Sequence, residues 1–344
     1  MHFPSARIAS RLRTLIACLM VLAASLGPVP TAAPAVHNGL AQAAATGLGW
    51  ASPNWSGYAV TAGPYTSATG TWVVPAVAAT ITPTFSSTWV GIDGFANSSL
   101  IQVGTAQNSR DGEAFYSAWW EILPAVSQTI TTVSVEPGDT IAATITQVTT
   151  DTWTITLVNR TTGAAFSTTQ AYTGPGASAE WIQEAPTVAG RVTTLARYGS
   201  TTFTATANGR TPALALRNGG LMVQNGRHVS VPSVPDTATG RFTVHAAAVP
   251  GSAALTAKSL GTGKHGIRLT WTAAAPNGSP VVAYRVYRRV GATSTTRTLV
   301  ATVGNALTWT DVKNPANRTS TYDVVAVNGV GPGRSSNLAG AYSR

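Results

Sequence analysis

The sequence predicts an all-β protein built from two antiparallel β-sandwiches, a large one followed by a smaller one of the immunoglobulin type. Three observations carry this prediction. Apolar and polar residues alternate with a period of two, in short runs rich in Thr, Val, Ile and aromatic residues. Turn-forming clusters separate these runs, and no stretch has a helical period with caps. Only 10% of the residues are charged, which argues against disorder and against long surface helices.

The start of the chain has the pattern of a secretory signal peptide. Basic residues from Arg7 to Arg13 precede an apolar run, Leu15–Leu26, that is too short to span a bilayer. We therefore assign residues 1–44 to a signal peptide and a short Ala-rich leader, and we expect a secreted, extracellular protein without a stable membrane anchor. The single cysteine, Cys18, lies in this segment. The mature chain is thus expected to lack disulfides, thiol nucleophiles and cysteine metal sites.

Residues 45–249 form the larger predicted domain. Alternating strands and turn signals follow one another for about 200 residues in a single block, a length that fits a two-sheet sandwich of the concanavalin-like or jelly-roll kind. Representative strands are Gly70–Val74, Thr140–Thr146 and Thr152–Val158, and representative turns are Glu136–Asp139, Asn159–Gly163 and Gln224–Gly226.

Residues 250–344 form the smaller predicted domain, which we interpret as seven short strands. Trp271 lies on an early strand, Tyr284 on a middle strand and Tyr322 on a late strand. A buried Trp and a late Tyr are what an immunoglobulin-like sandwich uses to fill its core and to tie a corner. With the Gly-rich stretch Val327–Gly333 near its end, this segment resembles a fibronectin type III domain.

The formal net charge of +10 is distributed unevenly. Residues 1–44 carry three Arg and no carboxylate, 45–250 carry eight Arg against ten carboxylates, and 251–344 carry eleven Lys and Arg against two carboxylates. The central part is therefore mildly acidic, and we expect no nucleic-acid partner. A spacer is the default interpretation of the basic 250–344 segment, and an anionic surface or polymer is its candidate partner. Nothing in the sequence signals oligomerisation, so we expect a monomer.

Several kinds of catalytic site are excluded by the sequence pattern. The mature chain retains three histidines, His228, His245 and His265, and none of them has the spacing of a metal site. A nucleophile-elbow serine and a phosphate-binding glycine loop are both missing from the sequence. We therefore expect neither a cofactor nor a metal, and carboxylates remain as the candidates for acid–base chemistry.

Three glutamates stand next to tryptophans. Glu121 ends the run Phe115–Glu121, while Glu180 and Glu184 flank Trp181. A carboxyl group beside large apolar rings is partly desolvated, which raises its pKa and suits it to proton transfer. On a strand, Glu180 and Glu184 face one way and Trp181 faces the other. From these residues alone, rim carboxylates near surface aromatics are an equally good interpretation.

Five motifs occur in order along the central part of the chain. They are Asn54-Trp-Ser-Gly-Tyr58, Thr88-Trp-Val-Gly-Ile-Asp-Gly94, Leu100-Ile-Gln-Val-Gly104, Tyr116-Ser-Ala-Trp-Trp-Glu121 and Ala179-Glu-Trp-Ile-Gln-Glu184. Together they resemble the motif set of the glutamic peptidases, the eqolisin or G1 family, from about Ser52 to Val249. The resemblance implies a sandwich of two bent antiparallel sheets, which agrees with the strand prediction.

The resemblance also implies roles for individual residues. Gln102 and Glu184 would form the catalytic dyad, in which Glu184 activates a water and Gln102 stabilises the oxyanion without a covalent intermediate. The positions that would line the groove or support the dyad are Trp55, Trp89, Asp93, Trp119, Glu121 and Glu180. The expected substrates are proteins or peptides, and the expected activity is acid-shifted. Where fungal members carry cysteines, this chain has Phe95–Asn97, so disulfide bracing is absent.

Two other functions compete with an endopeptidase. A secreted glycoside hydrolase would use Glu121 and Glu184 as its carboxylate pair and would not need Gln102. A non-catalytic surface-binding protein would tolerate the loss of every named carboxylate. The short uncharged leader also predicts that no inhibitory prosegment holds the enzyme latent.

Overall fold

A computed structural model describes residues 46–261, 263–291 and 293–343. The signal peptide and leader predicted for residues 1–44 lie outside the described residues. No helix in the described ranges has both the length and the apolar character needed to cross a membrane.

The regular secondary structure of residues 50–246 consists almost entirely of strands, as the alternating pattern predicts. The strands are β1 (Trp50–Ser52), β2 (Trp55–Val60), β3 (Ser67–Val73), β4 (Ser87–Ile92), β5 (Ile101–Arg110), β6 (Glu113–Ile122), β7 (Gln128–Ile130), β8 (Thr140–Thr149), β9 (Thr152–Asn159), β10 (Ala165–Ala171), β11 (Ala179–Glu184), β12 (Thr187–Val188), β13 (Arg191–Val192), β14 (Ser200–Ala207), β15 (Gly219–Gln224), β16 (Arg227–Pro232) and β17 (Arg241–Ala246). One 3-10 turn, Leu216–Asn218, precedes β15.

Fifteen of these strands form one hydrogen-bonded sheet that folds back on itself into two layers. The strand order is β10-β9-β8-β3-β14-β17-β16-β15-β2-β11-β4-β5-β6-β7, with β1 added in parallel to β15. The first half of this path packs face to face against the second half around one apolar core. Strands β12 and β13 form a separate hairpin. The turns predicted at 136–139, 159–163 and 224–226 each separate consecutive strands.

The core between the two layers is filled by large side chains from both. Trp72, Trp153 and Phe203 come from the first layer, while Trp181 and Ile101 come from the second, and all five are almost completely buried. Burying aromatic and branched side chains of this size stabilises a fold by about 1.5–3 kcal/mol each relative to exposure. The apolar face of each strand thus points inward, and the opposite face of the second layer is free to carry polar groups.

Residues 255–343 form a second set of sheets. The strands are β18 (Leu255–Ser259), β19 (Ile267–Trp271), β20 (Val281–Val290), β21 (Thr298–Val303), β22 (Thr308–Asp311), β23 (Arg318–Asn328), β24 (Pro332–Ser335) and β25 (Ala339–Ser343). Sheet β18-β19-β22 packs on sheet β21-β20-β23-β24, whose β23 also pairs with β25. The prediction of an immunoglobulin-like sandwich is confirmed, although the strand count of seven was too low by one. The last strand region breaks at 336–338, so β24 and β25 pair with β23 separately.

The aromatic residues singled out in this segment occupy its core. Trp271, Tyr284 and Tyr322 are all buried, and the rings of Trp271 and Tyr284 pack at 5.5 Å. The hydroxyl of Tyr322 donates to Asp311 Oδ2 at 2.9 Å, which ties β23 to the end of β22. The predicted roles of the Trp and the late Tyr as core residues are therefore confirmed.

The two sets of sheets contact each other at one end of β23. The ring of His228 on β16 lies 2.9 Å from Ser279 Oγ, and its backbone N–H donates to the carbonyl of Gly329. Asn328 Nδ2 donates to the carbonyl oxygens of Ala248 and Pro276 at 2.7 and 3.0 Å. These hydrogen bonds fix the end of β23 that contains Asn328 against the larger sandwich.

Candidate active site

The outer face of strands β2, β11, β4, β5 and β6 carries the candidate site. On β11, Trp181 points into the core between the layers, and Ile182 packs instead with Trp55 and Trp89 on the outer face. Because side chains alternate along a strand, Glu180 and Glu184 share the outer face with Ile182. The facing directions predicted from the sequence are therefore confirmed.

An open cleft of about 550 Å³ lies over this face. Five of the predicted site residues line it, namely Trp55, Gln102, Trp119, Glu121 and Glu184. Other parts of the wall include Asn54, Phe85 and Leu123, the charged Arg110, and Pro186–Val188 at the start of the β12–β13 hairpin. A concave site with apolar walls and few convergent polar groups is the usual form of a ligand-binding cleft.

Glu184, the last residue of β11, is held by two side-chain donors. Trp89 Nε1 donates to its Oε2 at 2.7 Å, and Asn54 Nδ2 donates to its Oε1 at 3.3 Å. Burial raises the pKa of Glu184 to about 7, with a further increase from the nearby charge of Glu121, while the hydrogen bond from Trp89 opposes the shift. A carboxyl group with such a pKa can take up and release a proton near neutral pH.

Gln102 and Glu121 lie opposite each other on β5 and β6. Gln102 Nε2 donates to Glu121 Oε2 at 2.6 Å. The amide oxygen of Gln102 is buried and has no hydrogen-bond partner within the described residues. Burial raises the pKa of Glu121 above its usual range, and the hydrogen bond from Gln102 opposes this increase. One end of the amide is thus fixed, and the other end is free to accept a hydrogen bond.

Strand β4 lies between the strands that carry the two dyad candidates. Gln102 is opposite Gly91 on β4, and Glu184 is opposite Ser87 on the other side of the same strand. Gly104 lies on β5 two residues after Gln102, on the side toward Glu184. A Cβ at Gly104 would lie 2.3 Å from the carbonyl oxygen of Thr88. The absence of a side chain at this position keeps β4 and β5 in close contact and leaves the cleft open between the two polar groups.

The three tryptophans predicted for the site divide into two roles. The rings of Trp55 and Trp89 pack edge to face at 5.0 Å and are buried beneath the cleft. Trp119 is half-buried and lines the cleft directly. The structure thus places Trp89 and Trp55 against Glu184, whose pKa both indoles lower, while Trp119 supplies apolar surface to the cleft.

Asp93 lies outside the cleft and organises a neighbouring loop. Its carboxylate accepts hydrogen bonds from the hydroxyl of Tyr172 at 2.7 Å and from the backbone N–H groups of Gly176 and Ala177 at 2.9 and 2.7 Å. Asn97 Nδ2 adds a fourth bond at 3.0 Å. These contacts fix the segment that leads into β11, so Asp93 acts on the site only through the position of that strand.

Glu180 also lies outside the cleft, although it shares a strand face with Glu184. It is fully buried opposite Gly91, where Leu100 and the ring of Trp89 fill the space above the glycine. Neither of its carboxyl oxygens has a hydrogen-bond partner in the described ranges. Burial raises the pKa of Glu180 well above its usual range, and the nearby charge of Asp93 adds to the increase. Burial of Glu180 therefore favours the neutral form of its carboxyl group.

Two residues that hydrogen bond to predicted site residues were absent from the predicted set. Asn54 donates to Glu184, and Tyr172 donates to Asp93. Asn54 begins the first of the five ordered motifs, so its position in the motif was the available signal. Tyr172 is separated from Asp93 by 79 positions and lies in no motif, so the sequence offered no signal for it. In the residues that the structure describes, no group of three His, Cys, Asp or Glu side chains comes together as a metal site.

Part of this chain is similar to known proteins. The model of the Peptidase A4 family matches residues 53–231, just over half of the chain. Aspergillopepsin-2 of Aspergillus niger is 29% identical over 187 residues, and this match covers 46% of the chain and 66% of that protein, slightly less than two thirds of its length.

Solved structures similar to parts of the chain are also known. The crystal structure of scytalido-glutamic peptidase with a transition state analog inhibitor matches with 24% identity and a TM-score of 0.49, over 56% of this chain and 98% of that chain. A fibronectin-type-III-like protein from Clostridium thermocellum matches with 25% identity and a TM-score of 0.23, over 28% of this chain and 95% of that chain.

Proposed function

Because the chain belongs to the Peptidase A4 family, the glutamic peptidases, we propose that it is an endopeptidase that hydrolyses peptide bonds in proteins with Gln102 and Glu184 as its catalytic residues. The observation that carries this proposal is the arrangement in one cleft of a carboxyl group with a pKa of about 7 and an amide whose oxygen has no protein partner. Trp55 and Trp119 would contact the substrate, while Trp89, Glu121, Asp93 and Glu180 would support the dyad.

The first step uses Glu184 as a general base. Trp89 and Asn54 hold its carboxylate in one orientation, so a water that donates to it is held over the cleft. The free Oε1 of Gln102 accepts the second hydrogen of that water. As the water oxygen attacks the peptide carbonyl carbon, its proton passes to Glu184 and a tetrahedral intermediate forms.

The second step uses Gln102 as a hydrogen-bond donor. One N–H of its amide is bonded to Glu121, which leaves the other N–H for the oxyanion of the intermediate. Glu184 then returns its proton to the amide nitrogen as the C–N bond breaks, which releases an amine and a carboxylic acid. Every bond change is completed without a covalent enzyme intermediate.

The pKa of Glu184 refines the expected pH range. A general base acts only in its ionised form, and below a pKa of about 7 that fraction falls tenfold for each pH unit. We therefore expect the activity to rise from acidic pH toward pH 7 rather than to peak at strongly acidic pH.

The organisation of the whole protein follows from the same proposal. Residues 1–44 would direct export and be removed, 45–249 would form the catalytic domain, and 250–344 would form a fibronectin type III-like domain. The enzyme would then work outside the cell as a monomer on protein or peptide substrates, without a cofactor, a metal or nucleic acid.

A casein assay at pH 3–7 tests the dyad directly. Wild type, Gln102→Ala and Glu184→Gln are compared with and without a chelator. We expect both variants to lose at least about 99% of the activity, since removing a general base or an oxyanion donor costs about a factor of 10² or more. We also expect the chelator to have no effect. Retained proteolysis in both variants would overturn the proposal.

The same variants separate the competing functions. A glycoside hydrolase would cleave polysaccharide rather than casein and would keep its activity in Gln102→Ala, while losing it in Glu121→Gln and Glu184→Gln. A surface-binding protein would show no hydrolysis in any form.

A further inference from the structure

The smaller sandwich exposes no carboxylate in its described residues. The only acidic residues between 250 and 344 are Asp311 and Asp323, and both are buried. Asp311 accepts from Arg288 Nη1 at 2.8 Å, and Asp323 accepts from Arg289 Nη1 at 2.7 Å and from Arg297. Each carboxylate is thus committed to an internal ion pair, and the surface of this sandwich carries positive charge alone.

Five of the remaining cations gather at one end of the sandwich, which we call the distal end. They are Lys258, Lys264, Arg268, Lys313 and Arg318, and all five are exposed. Outside the ion pairs, the described residues of this segment contain two further cations, Arg285 and Arg334.

Strand register shows that these five residues share one end. Lys258 pairs directly with Arg268, next to the β18–β19 hairpin that contains Lys264. The register of Ile267 with Asp311 brings the end of β22, and Lys313 beyond it, to the same place. Arg318 pairs with Ser343, whose hydroxyl lies 3.2 Å from the ring of His265 in the same hairpin.

The distal end lies opposite the contact with the larger sandwich. Arg318 begins β23 and Asn328 ends it, so the two are separated by about 30 Å along an extended strand. Asn328 hydrogen bonds to Ala248, at the contact between the two sets of sheets. The cations are thus placed at the end of the smaller sandwich that is remote from its contact with the larger one.

The pairing of Lys258 with Arg268 is unfavourable by itself. Like charges directly opposite each other on neighbouring strands destabilise a sheet, and no carboxylate of this segment is available to compensate them. An anion bound from outside would compensate this repulsion. The rest of the same outer face consists of hydroxyl groups, from Thr256, Thr270, Thr308 and Thr310.

We propose that the distal end binds an acidic glycan, a polysaccharide with repeated carboxylate or phosphate groups, and so holds the enzyme on an anionic surface. The cations would pair with the acidic groups, and the threonine hydroxyls would hydrogen bond to sugar hydroxyls. The exposed ring of Tyr342, opposite Thr319 and next to Arg318, offers one face for a sugar ring. A row of stacking aromatics, which single-stranded nucleic acid requires, is absent from the described part of this end.

Binding of the full chain to immobilised polygalacturonate tests the proposal, with neutral dextran and a 20-base-pair DNA duplex as comparison ligands. We expect polygalacturonate to bind most tightly. We expect the double variant Lys258→Gln/Arg268→Gln to bind at least about tenfold more weakly and to show a smaller dependence on salt. The matched control Arg334→Gln removes one exposed cation from outside the distal end and should bind within about twofold of wild type.

Thermal unfolding of each variant separates binding from folding. Removal of the like-charge pair should leave the Tm unchanged or raise it, because the repulsion between Lys258 and Arg268 is lost. Three outcomes would each overturn the proposal: equal binding to dextran, tighter binding to the duplex, or an equal loss of binding in Arg334→Gln. Casein hydrolysis in solution should be the same in all of these variants, so a failure of the binding proposal is distinguishable from a failure of the proposed peptidase function.

Discussion

Gln102 Nε2 donates a hydrogen bond to Glu121 Oε2 at 2.6 Å, across a directly paired position of β5 and β6. A carboxylate can only accept, so this contact determines which end of the amide faces the neighbouring strand. The amide oxygen is left without a protein partner, in the cleft that Glu184 also lines. Glu121 is thereby a positioning residue for Gln102, and this role can be tested apart from catalysis itself.

Glu121→Gln should lower kcat by about 10- to 100-fold and change KM little. A glutamine at 121 can donate as well as accept, so the amide of Gln102 is no longer held in one orientation, and small errors in the placement of a catalytic group cost factors of this size. Steady-state kinetics on a peptide substrate measures the separation of kcat from KM. Glu113→Gln, at the exposed start of the same strand, is the control and should behave as wild type. An unchanged kcat in Glu121→Gln would remove the positioning role.

Trp89→Phe should move the rising limb of the kcat/KM profile to higher pH. The indole N–H of Trp89 stabilises the ionised form of Glu184 and so opposes the increase of its pKa to about 7. Without this donor the pKa of Glu184 rises further. At pH 5–6, a smaller fraction of the enzyme then has Glu184 in the ionised form that acts as the base. The profile of kcat/KM against pH reports the pKa of the free enzyme.

The control for this prediction is Trp119→Phe. Trp119 lines the same cleft and makes no hydrogen bond to Glu184 in the described structure. This variant should lower activity without moving the limb. A limb that stays in place in Trp89→Phe, or moves to lower pH, would contradict the assignment of Glu184 as the base.

The fold was predictable from the sequence to the extent that it depends on local patterns. Alternation alone placed Trp181 and Glu184 on opposite faces of one strand, and the turn at 224–226 lies where the Asn-Gly pair predicts it. The extra strand in the second sandwich was missed, because the break at 336–338 contains neither Gly nor Pro. A break in a strand that depends on pairing with β23 leaves no signal in the local sequence.

The site was less predictable, because it depends on contacts between distant strands. The proposed dyad was suggested by ordered motifs, whereas the partners of each residue depend on register. By alternation, Glu180 and Glu184 lie on the same face of β11. Glu180 is nevertheless covered by Leu100 and Trp89, whereas Glu184 lines the cleft. Only the three-dimensional packing distinguishes a buried acid from an accessible one.

Glu180→Gln should stabilise the protein at neutral pH and have little effect at acidic pH. The folded-state pKa of Glu180 is raised by burial, so the folded protein holds a proton that the unfolded chain releases. The stability linked to this group is therefore fully present below the unfolded-state pKa and is lost as the pH rises toward the folded-state pKa. A glutamine is neutral throughout and has nearly the same shape.

Thermal unfolding at pH 4 and pH 7 measures this effect. The difference in Tm between wild type and Glu180→Gln should grow toward pH 7, on a scale of about 2–4 °C for each kcal/mol in a domain of this size. Glu136→Gln, an exposed carboxyl group in a turn, is the control and should show no such difference. A variant that is equally stabilised or destabilised at both pH values would show that Glu180 is already ionised in the folded protein.

Gly329→Ala should weaken the contact between the two sandwiches. A Cβ at this position would lie 2.2 Å from Nδ1 of His228, whose ring is buried against Ser279, so either the ring or the end of β23 must move. Overpacking of this kind costs about 1–3 kcal/mol. Limited proteolysis at Val249–Gly251 should become faster, and casein hydrolysis should persist because the residues of this contact do not line the cleft.

The control is Gly304→Ala, since a Cβ at Gly304 meets no atom within 4 Å. Equal proteolysis rates in the two variants would mean that the contact through His228 does not hold the sandwiches together.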